Sequence, residues 1–241
     1  MKVELISYTP NPELLVASAA RTCYSKKPAS QIIKKITHKR ASKLIRKLVK
    51  IGHHSILEHI IFTFSVEGIS RACSHQLVRH RIASYSQQSQ RYVSLENTDF
   101  VMPLTIKKNE KAKELFNRIV KEAKNAYKKL LELGIPEEDT RYVIPQAVQT
   151  NIVVTMNARE LLHFFNLRCC MRAQWEIRAL AWRMLSIVKK VAPTIFENAG
   201  PPCISEGRCP EEDFPCKLRK ILEKGGKNEN TGKPSNSHNR A

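Results

Sequence analysis

From Glu110 to Leu133, apolar residues return every three or four positions: Leu115, Phe116, Ile119, Val120, Ala123, Tyr127, Leu130 and Leu131. That spacing lays them along one side of a long helix, which Gly134 and Pro136 stop. Such a helix has to bury its stripe against other elements, so the fold is not made of strands alone. Three shorter runs have the opposite character. "KVELIS" (2–7), "IIFTFSVEG" (60–68) and "QTNIVVTM" (149–156) are rich in Ile, Val, Phe and Thr and predict strands.

Further helical patterns lie between them. One opens at Asn11 or Pro12 and runs through residues 12–24. A second covers 39–51, with Ala41, Leu44, Ile45, Leu48 and Val49 on one face and Gly52 placed to end it. A third covers 69–81, with Ile69, Ala72, Cys73, Gln76 and Leu77 inward. The basic stretch 27–40 predicts a loop with one helical turn. Ser55 to Glu58 and Asn157 to Glu160 have the capping-box pattern, the first opening a turn and the second a helix through about Leu167. A last helix is expected over 172–191, ending before Pro193.

At 241 residues and 42% hydrophobic, the chain suits one domain with a sizeable core. The expected domain is 1–222. Residues 223–241 are Gly-, Asn- and Ser-rich and predict a disordered basic tail. Glu4 and Pro10 stand where a signal peptide needs an apolar core, and no apolar run approaches the ~18 residues of a membrane span. Seven cysteines, odd in number and unevenly placed, argue against a secreted disulfide framework. A cytoplasmic protein is expected.

Lys and Arg outnumber Asp and Glu 41 to 22, a formal charge of +19 that favours anionic partners without naming them. The charge concentrates in "RHRIASYSQQSQRY" (79–92), which holds Arg79, Arg81 and Arg91 with no acidic residue. Either this is a helix C-terminus followed by a solvated polar loop, or the guanidinium forks surround an anion. Arg168 follows the apolar "LLHFFNL" and either faces a site or is paired in the core; Arg141, in "DTRYVIP", has Asp139 as a possible surface partner. His53, His54, His59 and Glu58 lack the order of a zinc protease site. Cys203, Cys209 and Cys216, with Cys169 or Cys170, allow a metal or redox cluster, although their spacing is not that of a structural zinc site. No glycine-rich phosphate loop occurs, so a bound nucleotide would be held by side chains.

These residues resemble the flavin-dependent thymidylate synthase family. Its signature, R-H-R, seven residues, then S, stands here as Arg79-His80-Arg81 and Ser89, followed by Arg91-Tyr92. "GHHSILEH", "FTFSVEG", "RYVIP", "NARELLHFFNLR" and "AQWEIR" agree in the same order, across roughly residues 1–200. The resemblance implies an α/β (α+β) single domain with a central sheet and flanking helices, assembled as a homotetramer with sites between subunits. It implies reductive methylation of dUMP to dTMP, with FAD as cofactor and 5,10-methylenetetrahydrofolate and NADPH as co-substrates. FAD contacts would fall on Ser55, Arg79, His80, Arg81, Gln87, Asn157, Arg159 and His163, and His53 matches a histidine near the flavin. Contacts to dUMP would fall on Gln76, Arg79, Gln87, Ser89, Arg91, Arg141 and Arg168, with Arg168 activating the uracil. No metal, nucleic acid or membrane is expected. Gln87 departs from the glutamate many members carry. Rival readings are a basic nucleic-acid-binding module, with Tyr85 and Tyr92 stacking bases, and a purely structural oligomer.

Overall fold

A computed structural model describes residues 1–210 and Cys216. Strand β1 (Lys2–Tyr8) leads into α1 (Pro12–Thr22), the short α2 (Ala29–Ile32) and α3 (His38–Lys50). Strand β2 (Ile61–Ser70), α4 (Arg71–Leu77) and strand β3 (Ala83–Gln87) follow. The short α5 (Leu104–Lys107), the long α6 (Glu110–Glu132) and the acidic turn α7 (Glu137–Thr140) precede strand β4 (Gln149–Asn157). The described chain closes with α8 (Ala158–Arg168), α9 (Trp175–Val191) and the turn α10 (Pro202–Ser205). The expected boundary at 222 and the tail 223–241 lie outside the described residues.

The strands form one antiparallel sheet in the order β1-β2-β4-β3. Alternation decides which face is buried. Phe62, Phe64 and Val66 of β2 and Ile152, Val154 and Met156 of β4 point into the core, where α1, α3, α4, α8 and α9 cover them. The other face carries Thr63 and Thr155, whose hydroxyls meet at 3.0 Å, and is partly open, as antiparallel sheets allow. Two buried carboxylates tie α9 to the end of β2 and α1 to the segment after α9. Glu176 accepts from the Ser70 amide (2.7 Å) and hydroxyl (2.5 Å), and Glu13 accepts from the Thr194 amide (2.6 Å) and hydroxyl (2.9 Å).

Several boundaries differ from expectation, each for a local reason. α4 spans 71–77 rather than 69–81, because Ile69 and Ser70 are already paired with β4 and Ser70 Oγ caps the helix by accepting from the Cys73 amide. Ala72 is accordingly exposed, and Ser74 takes an inward place. The polar run after Arg81 is a strand, not a loop. Its Ser and Gln residues suit a solvated edge, and the Tyr85 hydroxyl lies 2.9 and 2.8 Å from the Leu77 and His80 carbonyls. α9 starts at Trp175, where Gln174 Oε1 accepts from the Glu176 and Ile177 amides. The Ser55–His59 turn is a 3-10 turn without the expected cap, since Glu58 pairs with Arg159. On α6 only Tyr127 is buried. Leu115 and Ile119 stay about half exposed because the small cluster under the helix reaches only its C-terminal half.

Candidate active site

Asn157 ends β4 and caps α8, its Oδ1 accepting from the Glu160 amide at 2.8 Å. The helical repeat then places Glu160, Phe164 and Arg168 on one face, with His163 beside them. That face meets His80, which leaves α4 through a turn and is 4% exposed. His80 Nδ1 lies 3.0 Å from Glu160 Oε1, and Arg168 donates its Nε–H to His80 Nε2 at 3.1 Å. The edge of Phe164 closes on the imidazole at 4.9 Å between centroids, and His163 at 5.8 Å. Burial, the nearby Arg168 charge and His163 push the His80 pKa down to about 4, so the ring is neutral at pH 7. Burial raises that of Glu160, against a smaller lowering by His163.

Above this floor opens a cavity of about 1530 Å³. Its walls carry Lys50, Arg79, Arg81, Arg159 and Arg168, together with His54, Asn157 and His163. Arg159 is paired with Glu58, and Arg46 with Glu197 at 2.8 Å. Among the described residues no carboxylate pairs with Lys50, Arg79 or Arg81, so one part of the wall is net cationic. His80, Glu160 and His163 offer ligand atoms within 4.8 Å of one another. Both His80 nitrogens are engaged, Nδ1 with the Glu160 carboxylate and Nε2 with the Arg168 guanidinium.

A second cavity, about 330 Å³, lies at the far end of β3 and is lined by Arg71, His75, Gln90, Arg141, Tyr142 and Gln146, with no acidic side chain in its wall. Burial and the charge of Arg141 both lower the pKa of Arg71, so two cations face each other there. Arg91 pairs with Glu138 at 2.8 Å, and Arg141 Nε donates to the Glu138 carbonyl at 2.9 Å.

A family model described as "Thymidylate synthase complementing protein" matches residues 4–194. A flavin-dependent thymidylate synthase of Geobacter sulfurreducens is 52% identical over 218 residues, covering 90% of this chain and 94% of the relative. Proteins of the same name from Clostridium tetani (46% over 232 residues, 90% and 93% covered) and Pyrococcus furiosus (46% over 222, 89% and 91% covered) are also similar. The chain belongs to this family.

The residues that resemblance to flavin-dependent thymidylate synthases marks for FAD gather mostly at the large cavity: Arg79, His80, Arg81, Asn157, Arg159 and His163 line it, and so does Arg168. Ser55 is exposed on the neighbouring turn and is not part of the wall. His54 lines the cavity and His53 does not; His54 Nε2 lies 3.3 Å from the Val49 carbonyl. The set marked for dUMP is divided: Arg79 and Arg168 line the large cavity, and the other five residues lie away from it. Arg141 lines the second cavity, Arg91 and Ser89 lie beyond β3, and Gln76 Nε2 donates back to the Ala72 carbonyl. Gln87 Nε2 donates to Ser74 Oγ (2.9 Å) and Thr150 Oγ1 (3.2 Å), two bonds a carboxylate could not donate. The five residues of β3 span roughly 17 Å and separate Arg91 from Arg79 and Arg81, which line the large cavity while Arg91 does not.

Sequence reasoning passed over Glu160, Lys50 and Arg71. Glu160 had a legible signal, its spacing to His163 and Arg168 on one helix face; Arg71 had none, because it joins Arg141 only through the fold. The buried thiols of Cys73 and Cys169 are poor nucleophiles. Burial and Glu176 raise the thiol of Cys73, and burial pushes that of Cys169 up to about 12. Cys203 has Cys170, Cys209 and Cys216 as electrostatic neighbours, but no three of these sulfurs come within 4.8 Å of one another.

Proposed function

We propose that this chain is a flavin-dependent thymidylate synthase, converting dUMP to dTMP with 5,10-methylenetetrahydrofolate as one-carbon donor, FAD as cofactor and NADPH as reductant. The observation that carries the reading is the large cavity with Arg79, Arg81 and Arg168 in its wall. FAD fits this cavity on two counts. Its volume exceeds the ~300–1,000 Å³ of an ordinary small-molecule pocket, and its unpaired cations suit a pyrophosphate. Arg79, Arg81 and Lys50 would hold that anion, with Asn157, Arg159 and His163 completing the wall. FAD supplies the hydride chemistry that no side chain of this protein offers.

The chain's own part is electrostatic. Arg168 stabilises negative charge developing on the uracil ring, as donors in an oxyanion hole do, and its support on a neutral imidazole leaves the guanidinium charge undiminished. Arg141 and Arg91, with Arg71 beside them, bind the phosphate of dUMP through charge-assisted hydrogen bonds. Because these groups sit at the far end of β3, a complete site takes one set from each of two subunits. The half-exposed Leu115 and Ile119 of α6 supply apolar surface for that assembly, which we take to be a homotetramer of the cytoplasm. No described helix is long and apolar enough to cross a membrane.

The test is turnover. Purified protein should be yellow, bleach on addition of NADPH and form dTMP from dUMP only when methylenetetrahydrofolate is present. Colourless protein without turnover would overturn the reading.

A further inference from the structure

Glu160, His80 and Arg168 form a chain of carboxylate, imidazole and guanidinium that runs from the core to the cavity wall. The first two are nearly sealed, with side chains 6% and 3% exposed. Their hydrogens can be arranged in only one way. Arg168 has only donors, so the His80 Nε2 it reaches at 3.1 Å must present a lone pair. The single proton of the neutral ring then lies on Nδ1 and is donated to Glu160 Oε1 at 3.0 Å. A proton on Nε2 would set donor against donor, and protonation of both nitrogens would add a second cation beside the guanidinium.

The imidazole is itself held on every side. The His80 amide donates to the Leu77 carbonyl at 3.1 Å, its own carbonyl lies 2.8 Å from the Tyr85 hydroxyl, and Phe164 and His163 close on the ring edge-first. Glu160 is fixed by the Asn157 cap at the start of the same helix that carries Arg168. A direct Glu–Arg pair would neutralise the guanidinium. Interposing a neutral ring anchors Arg168 at Nε while keeping its charge and both Nη groups for the cavity it lines.

We infer that Glu160 is a positioning residue which, through the tautomer of His80, sets the orientation of the Arg168 guanidinium in the site. The inference rests on the synthase reading only where turnover is measured, so a tautomer readout is paired with it. In 15N-histidine-labelled protein at pH 7, the His80 ring should show protonated Nδ1 and bare Nε2. Glu160→Leu removes the acceptor and should lose that single tautomer. It should lower kcat for dTMP formation by roughly 100-fold, the scale of a misplacement of about 1 Å, with flavin binding kept and the KM for dUMP moving far less. Glu160→Gln retains an acceptor for Nδ1–H and should recover both the tautomer and most of the lost turnover. A proton on Nε2 in the parent protein overturns the inference whether or not the protein is a synthase. So does parental turnover in Glu160→Leu, or equal damage in Glu160→Gln. Absence of any turnover in the parent, with the Nδ1–H tautomer intact, would instead count against the synthase reading alone.

Discussion

The two ends of β3 are built on different terms. At the large cavity the decisive groups stand on a buried floor: His80 and Glu160 are nearly sealed, Phe164 backs them, and Arg168 is anchored before any ligand arrives. At the small cavity the cations stand near the rim, tied to one acidic turn through Glu138, and the Arg91–Glu138 pair is about half exposed on both sides. A group that must meet charge as it develops gains from being fixed in advance, and the core can fix it. A group that only holds a phosphate needs charge and reach, which a rim supplies.

The largest effect expected from this contrast is at its buried end. Arg168→Ala should cut dTMP formation by about 100- to 1,000-fold, the usual cost of removing one preorganised donor, while FAD remains bound. Turnover assays alongside flavin absorbance decide it; near-parental turnover would dissolve the distinction between the two regions.

Next come two variants that should behave as mirror images. Arg79→Ala should weaken FAD binding more than dUMP binding, and Arg141→Ala the reverse, each by roughly 10-fold or more for the lost charge-assisted contact. Calorimetry and ligand-induced rises in Tm measure both. If each variant weakens both ligands equally, the two sets of residues do not divide the ligands between them.

How much of this could be read from residues alone follows the same divide. The strands β2 and β4, the cap at Asn157 and the helix α6 are local patterns, and local rules found them. The edge strand β3 was hidden because a polar run reads as a loop until its neighbour β4 is known. The three arginines of 79–92 looked like one cluster because sequence distance is small, whereas an extended strand carries its ends apart. Glu160 was legible only as spacing on α8, since its partner lies 80 positions earlier. Burial and partnership across the fold are what a linear reading lacks.

A smaller effect should appear with acid. The folded-state pKa of His80 lies near 4, below the ~6.5 of a free imidazole, so the unfolded chain binds more protons between these values. Stability is therefore full above about pH 6.5 and is lost as pH falls towards 4. Glu160, shifted upwards, works against this loss. A net change on the order of 2 kcal/mol is expected. His80→Gln can donate to Glu160 and accept from Arg168 without titrating, so its Tm should vary less with pH across that window. Identical Tm–pH curves would place the ring outside the buried network.

The smallest effect belongs to the rim. Glu138→Gln removes the carboxylate that pairs with Arg91, and exposed pairs of this kind contribute only about 0–1 kcal/mol. Stability should therefore change by less than about 1 kcal/mol. The variant nevertheless leaves Arg91 without its paired carboxylate, so dUMP should bind the same or up to a few-fold more tightly, most visibly at low salt. The Glu138 carbonyl that accepts from Arg141 survives the substitution, so Arg141 should keep its place. A stability loss well beyond that of an exposed pair, or a marked fall in dUMP affinity, would mean that this acidic turn is as much a part of the machinery as the buried floor.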